Sequence, residues 1–168
     1  RDGRPVTEAA TDRVLTTEAI LAEETRLLAW AQTRRPSNAP SASIPTPEHL
    51  SGPQRHMAAA IAGHDELVVI VGPAGTGKTT AIAPAIDALH VQGRPVFGVA
   101  PSAVAADVLA TETGVDADTL DKLLYEHRAP RPPKHRYDLP AGATLIVDEA
   151  GMVNTANLAE FAALADAK

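Results

Sequence analysis

A chain of 168 residues with 45% hydrophobic and 21% charged residues has material for one domain and an added arm, and with aromatics at 3% its core packs through aliphatic side chains. It has no cysteine, which excludes disulfides and thiolate zinc sites and fits a cytoplasmic protein, and no apolar run of about 18 residues, which leaves no membrane span. The net charge of −6 argues against a general duplex-DNA binder, while leaving room for a local nucleic-acid groove.

Arg1-Asp2-Gly3-Arg4-Pro5 is no signal peptide and lacks an initiating Met, so the sequence is expected to be an excerpt of a longer chain. A first helix is predicted from Thr16, with Thr16 or Thr17 as cap and Pro36 as stop. Ile20 and Leu27 share one face of it, and so do Leu21 and Leu28; both patterns suit packing. Pro36, Pro40, Pro45 and Pro47, with serines between, make residues 36–47 a linker. The expected organisation is a helical arm over 1–35, this linker, and an α/β domain over 48–168.

Ser51 and Gln54 have the spacing of a capping box at the start of the next helix. The Gln54 amide can also donate and accept at once, which suits an adenine edge. Leu67-Val68-Val69-Ile70-Val71 reads as a strand. It leads into Gly72-Pro73-Ala74-Gly75-Thr76-Gly77-Lys78-Thr79, followed by Thr80 and a helical segment. Strand, glycine loop and helix start are the context of a phosphate-binding P-loop. Its glycines let backbone N–H groups turn inward, and the helix N-terminus adds its own donors and dipole. Lys78 can reach the β- and γ-phosphates, and the Thr79 hydroxyl can hold Mg²⁺. Pro84 is expected to kink or loosen the helix that follows.

Further along, Val96–Ala100 reads as a buried strand ending at Pro101-Ser102, and Ala103 to Thr111 as a helix closed near Gly114. A short element then carries Leu120, Leu123 and Leu124, capped by Asp118 or Thr119. Residues 127–137 are basic and proline-rich; they could touch phosphates, although a solvated loop is the commoner explanation. A third strand, residues 143–147, runs directly into Asp148-Glu149. Acids at the carboxyl end of a buried strand sit where open α/β sheets bind ligands. There Asp148 would hold Mg²⁺ and Glu149 would activate the attacking water. The plainer alternative is an acidic pair that caps the next turn. A last helix, from about Thr155 to Ala165, turns Leu158, Phe161, Ala162 and Ala165 inward.

Four segments in order resemble the first motor domain of RecD-like superfamily 1 DNA helicases: Leu-Ser-x-x-Gln at 50–54, Gly-Pro-Ala-Gly-Thr-Gly-Lys-Thr-Thr at 72–80, Ala-Pro-Ser-Ala-Val-Ala-Ala at 100–106 and Val-Asp-Glu-Ala-Gly-Met-Val at 147–153. The likeness is greatest to the helicase part of conjugative relaxase–helicases of the TraI/TrwC type. The resemblance implies a RecA-like P-loop NTPase with a parallel sheet and flanking helices, using ATP and Mg²⁺. It implies adenine reading by Gln54, phosphate binding by Gly75, Gly77, Lys78 and Thr79, and a single-stranded DNA contact at Pro101 and Ser102. It further implies that the strand beside the P-loop strand, and an arginine from a second RecA-like domain, lie beyond residue 168. On that expectation residues 1–168 alone fold marginally and hydrolyse ATP poorly. The partners would be single-stranded DNA and the rest of a parent chain that includes that second domain and, upstream, a candidate relaxase domain. Two other readings stay open: an AAA-type remodeller with a protein client, and a non-catalytic nucleotide-binding module.

Overall fold

The computed structural model describes residues 17–34, 50–72 and 77–168. The linker over 36–47 and the loop residues Pro73, Ala74, Gly75 and Thr76 lie outside them.

Three parallel strands make the sheet: β1 (Val96–Ala100), β2 (Ala117–Thr119) and β3 (Thr144–Val147), in the order β2-β1-β3. Gly98 faces Ala117 on one side and Ile146 on the other. Parallel pairing needs crossovers, and helices supply them. Helix α4 (Ala103–Thr113) joins β1 to β2, and α5 (Leu120–Arg128) precedes β3. Two apolar clusters cover the two faces of β1, as its continuous apolar sequence requires. Phe97 and Val99 pack with Leu120, Leu123, Leu124, Tyr137 and Phe161, where Phe97 and Tyr137 meet edge to face at 6.0 Å. The opposite cluster joins Ile82 and Ile86 of α3 (Lys78–Val91) to Leu109, Val115 and Ala117.

Gly98 lies under this second cluster. A Cβ there would sit 2.8 Å from Leu109 Cδ2 and 3.1 Å from the Ala117 Cβ. The missing side chain lets α4 approach the sheet. Gly98→Ala is therefore expected to lower unfolding stability by about 1–3 kcal/mol through overpacking, read as a shift in the urea midpoint at unchanged slope.

The helices obey their local signals. Thr17 caps α1 (Glu18–Thr33) by accepting from the Ile20 N–H, and Gly114, at φ 71°, ends α4. Helix α1 packs on α6 (Thr155–Asp166). The Trp30 Nε1–H donates to the Asp166 carboxylate, and the Arg34 guanidinium pairs with that carboxylate while lying 3.9 Å over the Trp30 ring. None of the α1 side chains is fully buried, and Leu21 and Leu28 stay exposed. In α6, Phe161 and Ala162 are buried and Leu158 and Ala165 half-buried, as the pattern predicts.

The structure departs from expectation in four places. Helix α3 runs unbroken through Pro84. Ala81, Ile82, Ala85, Ile86 and Leu89 are all buried around the proline, and that packing outweighs one lost ladder bond. Strand β2 was not foreseen, because three residues carry too little pattern. The segment 67–71 forms no strand. Among the described residues none pairs with it, and Val69 and Val71 are 73% and 93% exposed. A strand exists only through its partner. Finally, the basic stretch after α5 is not a free loop. Glu126 is fully buried and accepts from Lys122 Nζ and Arg131 Nη2, each at 2.8 Å, with Lys134 Nζ at 4.0 Å. Arg136 donates to the Ala117 carbonyl, and the Tyr137 hydroxyl donates to Asp118. Thr119, not Asp118, caps α5.

The Lys122 hydrogen bond, with Arg131 and the Lys134 N–H assisting against burial, holds the Glu126 carboxyl down at about 2. A carboxyl lower in the folded than in the unfolded chain contributes stability that is complete above the unfolded value of about 4.3 and fades as pH falls towards 2. Thermal melts should thus drop between about pH 4.5 and 2. In Glu126→Gln that acid limb should flatten, from a lower neutral plateau, because Gln takes up no proton.

Candidate functional site

One end of the candidate site is built by two helix N-termini. Helix α2 (Gly52–Ile61) begins with the expected capping box: Ser51 accepts from the Gln54 N–H, and the Gln54 Oε1 accepts from the Ser51 N–H at 2.9 Å. The other end of the same amide donates to the Gly77 carbonyl at 3.3 Å. Gln54 is thus both cap and brace, its amide touching the last residue of the glycine loop. Gly77 has φ 71° and ψ 38°, and a Cβ on it would lie 2.4 Å from Gln54 Nε2. The left-handed backbone favours glycine there, and any side chain would push the Gln54 amide aside.

Helix α3 starts immediately after. Among the described α-helices it alone has no side-chain cap: Thr17, Ser51, Ser102, Thr119 and Asn154 serve the others. The first-turn N–H groups of an α-helix need acceptors. A helix N-terminus with no side-chain cap, behind a glycine loop, is a fitting seat for an anion. Lys78 Nζ donates to the Gly72 carbonyl at 2.9 Å, so its side chain spans the two ends of the loop. Thr79 is half-buried and Thr80 exposed in the first turn.

The acidic end follows from the sheet. Parallel strands present their carboxyl ends at one edge, so Pro101-Ser102 after β1 and Asp148-Glu149 after β3 emerge side by side. Val99 faces Val147, and the Asp148 N–H extends the ladder to the Val99 carbonyl at 2.9 Å. The Asp148 Oδ1 accepts from the Glu149 N–H at 2.9 Å. Glu149 has φ 50° and ψ 38° and is the one non-glycine residue with positive φ among those described. It opens a 3-10 turn, Ala150–Met152, and its side chain is exposed. A left-handed conformation costs a non-glycine residue about 1–2 kcal/mol, and such strain gathers at functional sites. The acidic pair therefore starts a turn, as the plain reading had it, and also carries backbone strain at the carboxyl end of the sheet.

Ser102 caps α4 by accepting from the Ala105 N–H at 3.2 Å. Its hydroxyl proton remains to donate, and the residue is exposed. Beside it lies a hollow of about 60 Å³ lined by Pro101, Asp121, Met152, Asn154 and Asn157, where Asn157 donates to Asp121. Asp121, Asn154 and Asn157 were not singled out from the sequence; the packing of α5 against α6 brings them to Pro101.

No cluster of three or more His, Asp or Glu among the described residues is arranged to hold a metal. An Mg²⁺–nucleotide site does not call for one, since one carboxylate, a hydroxyl and the phosphates themselves suffice. Thr79 and Asp148 are of the right chemistry for that role.

A family described as the AAA domain matches residues 49–168. The conjugal transfer protein TraA of Rhizobium radiobacter is 33% identical over 154 residues, which cover 90% of this chain and 14% of that protein. TraA of Agrobacterium fabrum is 31% identical over 153 residues, with the same two coverages. The ATP-dependent RecD2 DNA helicase of Deinococcus radiodurans is 36% identical over 115 residues, or 64% of this chain and 15% of that one. The chain thus spans about one seventh of the length of these relatives.

Proposed function

The chain belongs to the AAA domain family, in its RecD-like helicase branch, and from that premise we propose that it is the ATP-binding part of a single-stranded-DNA helicase or translocase serving conjugative DNA transfer. The family is one of ATP-hydrolysing P-loop enzymes. One observation carries the reading for this chain: the uncapped N-terminus of α3 behind a glycine loop whose two ends Lys78 bridges.

The roles follow from the groups. The loop 72–77 and the first N–H groups of α3 receive the β- and γ-phosphates, with Lys78 exchanging its Gly72 carbonyl for phosphate oxygen. Gln54 reads the adenine edge with an amide already braced on Gly77. Thr79 and Asp148 would hold Mg²⁺, which when bound would supply positive charge to the phosphates. Glu149 orients water and accepts its proton. Pro101 and Ser102 contact the DNA backbone, a contact without sequence preference. The remainder of a longer parent supplies the second RecA-like domain and its arginine, and a relaxase domain is a further candidate. The setting is the cytoplasm; no helix among the described residues is long and apolar enough to cross a membrane.

The unpaired, exposed segment at 67–71 supports the companion proposal that residues 1–168 alone turn over ATP poorly. The test is ATP hydrolysis by the full-length protein, with and without oligo(dT), and by residues 1–168. Stimulation by oligo(dT) in the full-length protein and little turnover by the segment are expected. Stimulation by an unfolded protein client instead of DNA would replace the reading with that of a remodeller. Strong DNA-stimulated turnover by the segment would remove the companion proposal.

A further inference from the structure

The acidic chain carries a cationic region in α5 and the loop after it. Between Thr119 and Tyr137 there are five Lys or Arg and two Asp or Glu, a surplus of three positive charges (five less two) in a molecule of net −6. Arg128 pairs with Glu160 and Arg136 lies beside Asp116 and Asp118, so the cations left over are Lys122, Arg131 and Lys134. One fully buried carboxylate, Glu126, gathers Lys122, Arg131 and Lys134 around itself. One negative charge thus fixes three cations, and their outward sides remain open: Lys122 is 36%, Arg131 44% and Lys134 66% exposed. Fixed cations lose little conformational freedom on binding an anion.

An aromatic ring belongs to the same patch. Tyr125 is 59% exposed, and Lys122 Nζ stands 5.0 Å from its ring centre while bonding Glu126. An aliphatic core with 3% aromatics leaves few rings, and this one faces solvent. Fixed cations beside an exposed ring are the chemistry that holds single-stranded nucleic acid, cations to phosphates and ring to base. An acidic protein partner would use the cations and have less need of the ring.

We propose that Tyr125, Lys122, Arg131 and Lys134 form a second single-stranded-DNA contact surface, on α5 and the loop after it, separate from Pro101 and Ser102. The inference rests on the DNA reading above. Glu126 is its positioning residue and touches no DNA.

The test uses the full-length protein and 5-bromouracil-substituted oligo(dT), photo-crosslinked and mapped by peptide mass spectrometry. Adducts on the peptide with Tyr125 are expected in the wild-type protein, so no variant has to fold. Adducts confined to residues around Pro101 and Ser102 would overturn this proposal and leave the DNA reading intact. Absence of any oligonucleotide binding would overturn both. Fluorescence anisotropy supplies a second measurement. Tyr125→Ala should weaken oligo(dT) binding at least about 5-fold and Tyr125→Phe should not, since the phenyl ring still stacks. Lys134→Gln should lower the slope of log affinity against log salt by about 0.7 and Lys134→Arg should restore it, one phosphate contact being lost and regained. Unchanged affinity and slope in Tyr125→Ala and Lys134→Gln would also overturn the proposal. ATP turnover without DNA should stay at its wild-type rate in all four.

Discussion

Lys78→Ala should lower ATP turnover of the full-length protein by about two to three orders of magnitude, the usual effect of removing a charge that meets the transferring phosphoryl group. The position of Lys78 is the reason to expect a specific loss. Lys78 Nζ lies 2.9 Å from the Gly72 carbonyl and so already stands at the mouth of the loop. Alanine keeps the helix start, since it is the best helix former, and leaves the fold nearly unchanged. Lys78→Arg should not rescue, because a planar fork cannot replace a compact ammonium in that mouth. Steady-state hydrolysis with a parallel thermal melt decides it. Turnover within a few-fold of wild type, at unchanged melting temperature, would remove Lys78 from the machinery and favour a non-catalytic nucleotide module.

The second large effect is expected at Glu149, where stability and activity should move in opposite directions. Glu149→Gln keeps the size and the left-handed backbone but cannot accept a proton. It should bind a fluorescent ATP analogue like wild type and lose about 10²–10⁴ in turnover. Glu149→Gly should lose turnover as well, yet gain about 1 kcal/mol of stability, because glycine occupies φ 50° without the strain that glutamate bears. A residue placed only to start the turn Ala150–Met152 would behave differently: glycine would stabilise and turnover would persist. Urea melts and hydrolysis rates on the two variants separate these outcomes.

The parts of this fold that were legible in the sequence are those whose signal is local. Ser51 and Gln54 announce a cap by their spacing, and the cap is formed. Val96–Ala100 announces a buried strand by its unbroken apolar run, and it is the central strand of the sheet. Thr144–Val147 followed by two acids delivers them to the sheet edge, because strand direction is set once the sheet is parallel. What stayed hidden depends on partners distant in sequence. Lys122 and Glu126 are four apart and read as one more surface ion pair on a helix; only the return of Arg131 and Lys134 across α5 makes Glu126 a buried hub. Leu67–Val71 has all the composition of a strand and forms none, because composition supplies a propensity and the ladder needs a neighbour. Pro84 reads as a kink or a loosening, and the apolar ring around it keeps α3 one helix. For the site, the residue types were readable, and the brace from Gln54 to Gly77 was not.

The clip of Trp30 and Arg34 on Asp166 joins positions 136 and 132 residues apart. It is made of a ring, a guanidinium and a carboxylate near the surface, on a helix with no buried side chain. Such a joint is among the first to open, since little apolar area opposes its separation. The molecule therefore divides mechanically into a sheet-centred body and a first helix that unlatches at small cost. A pull on α1 would be spent on opening this joint to α6 before it reached the sheet.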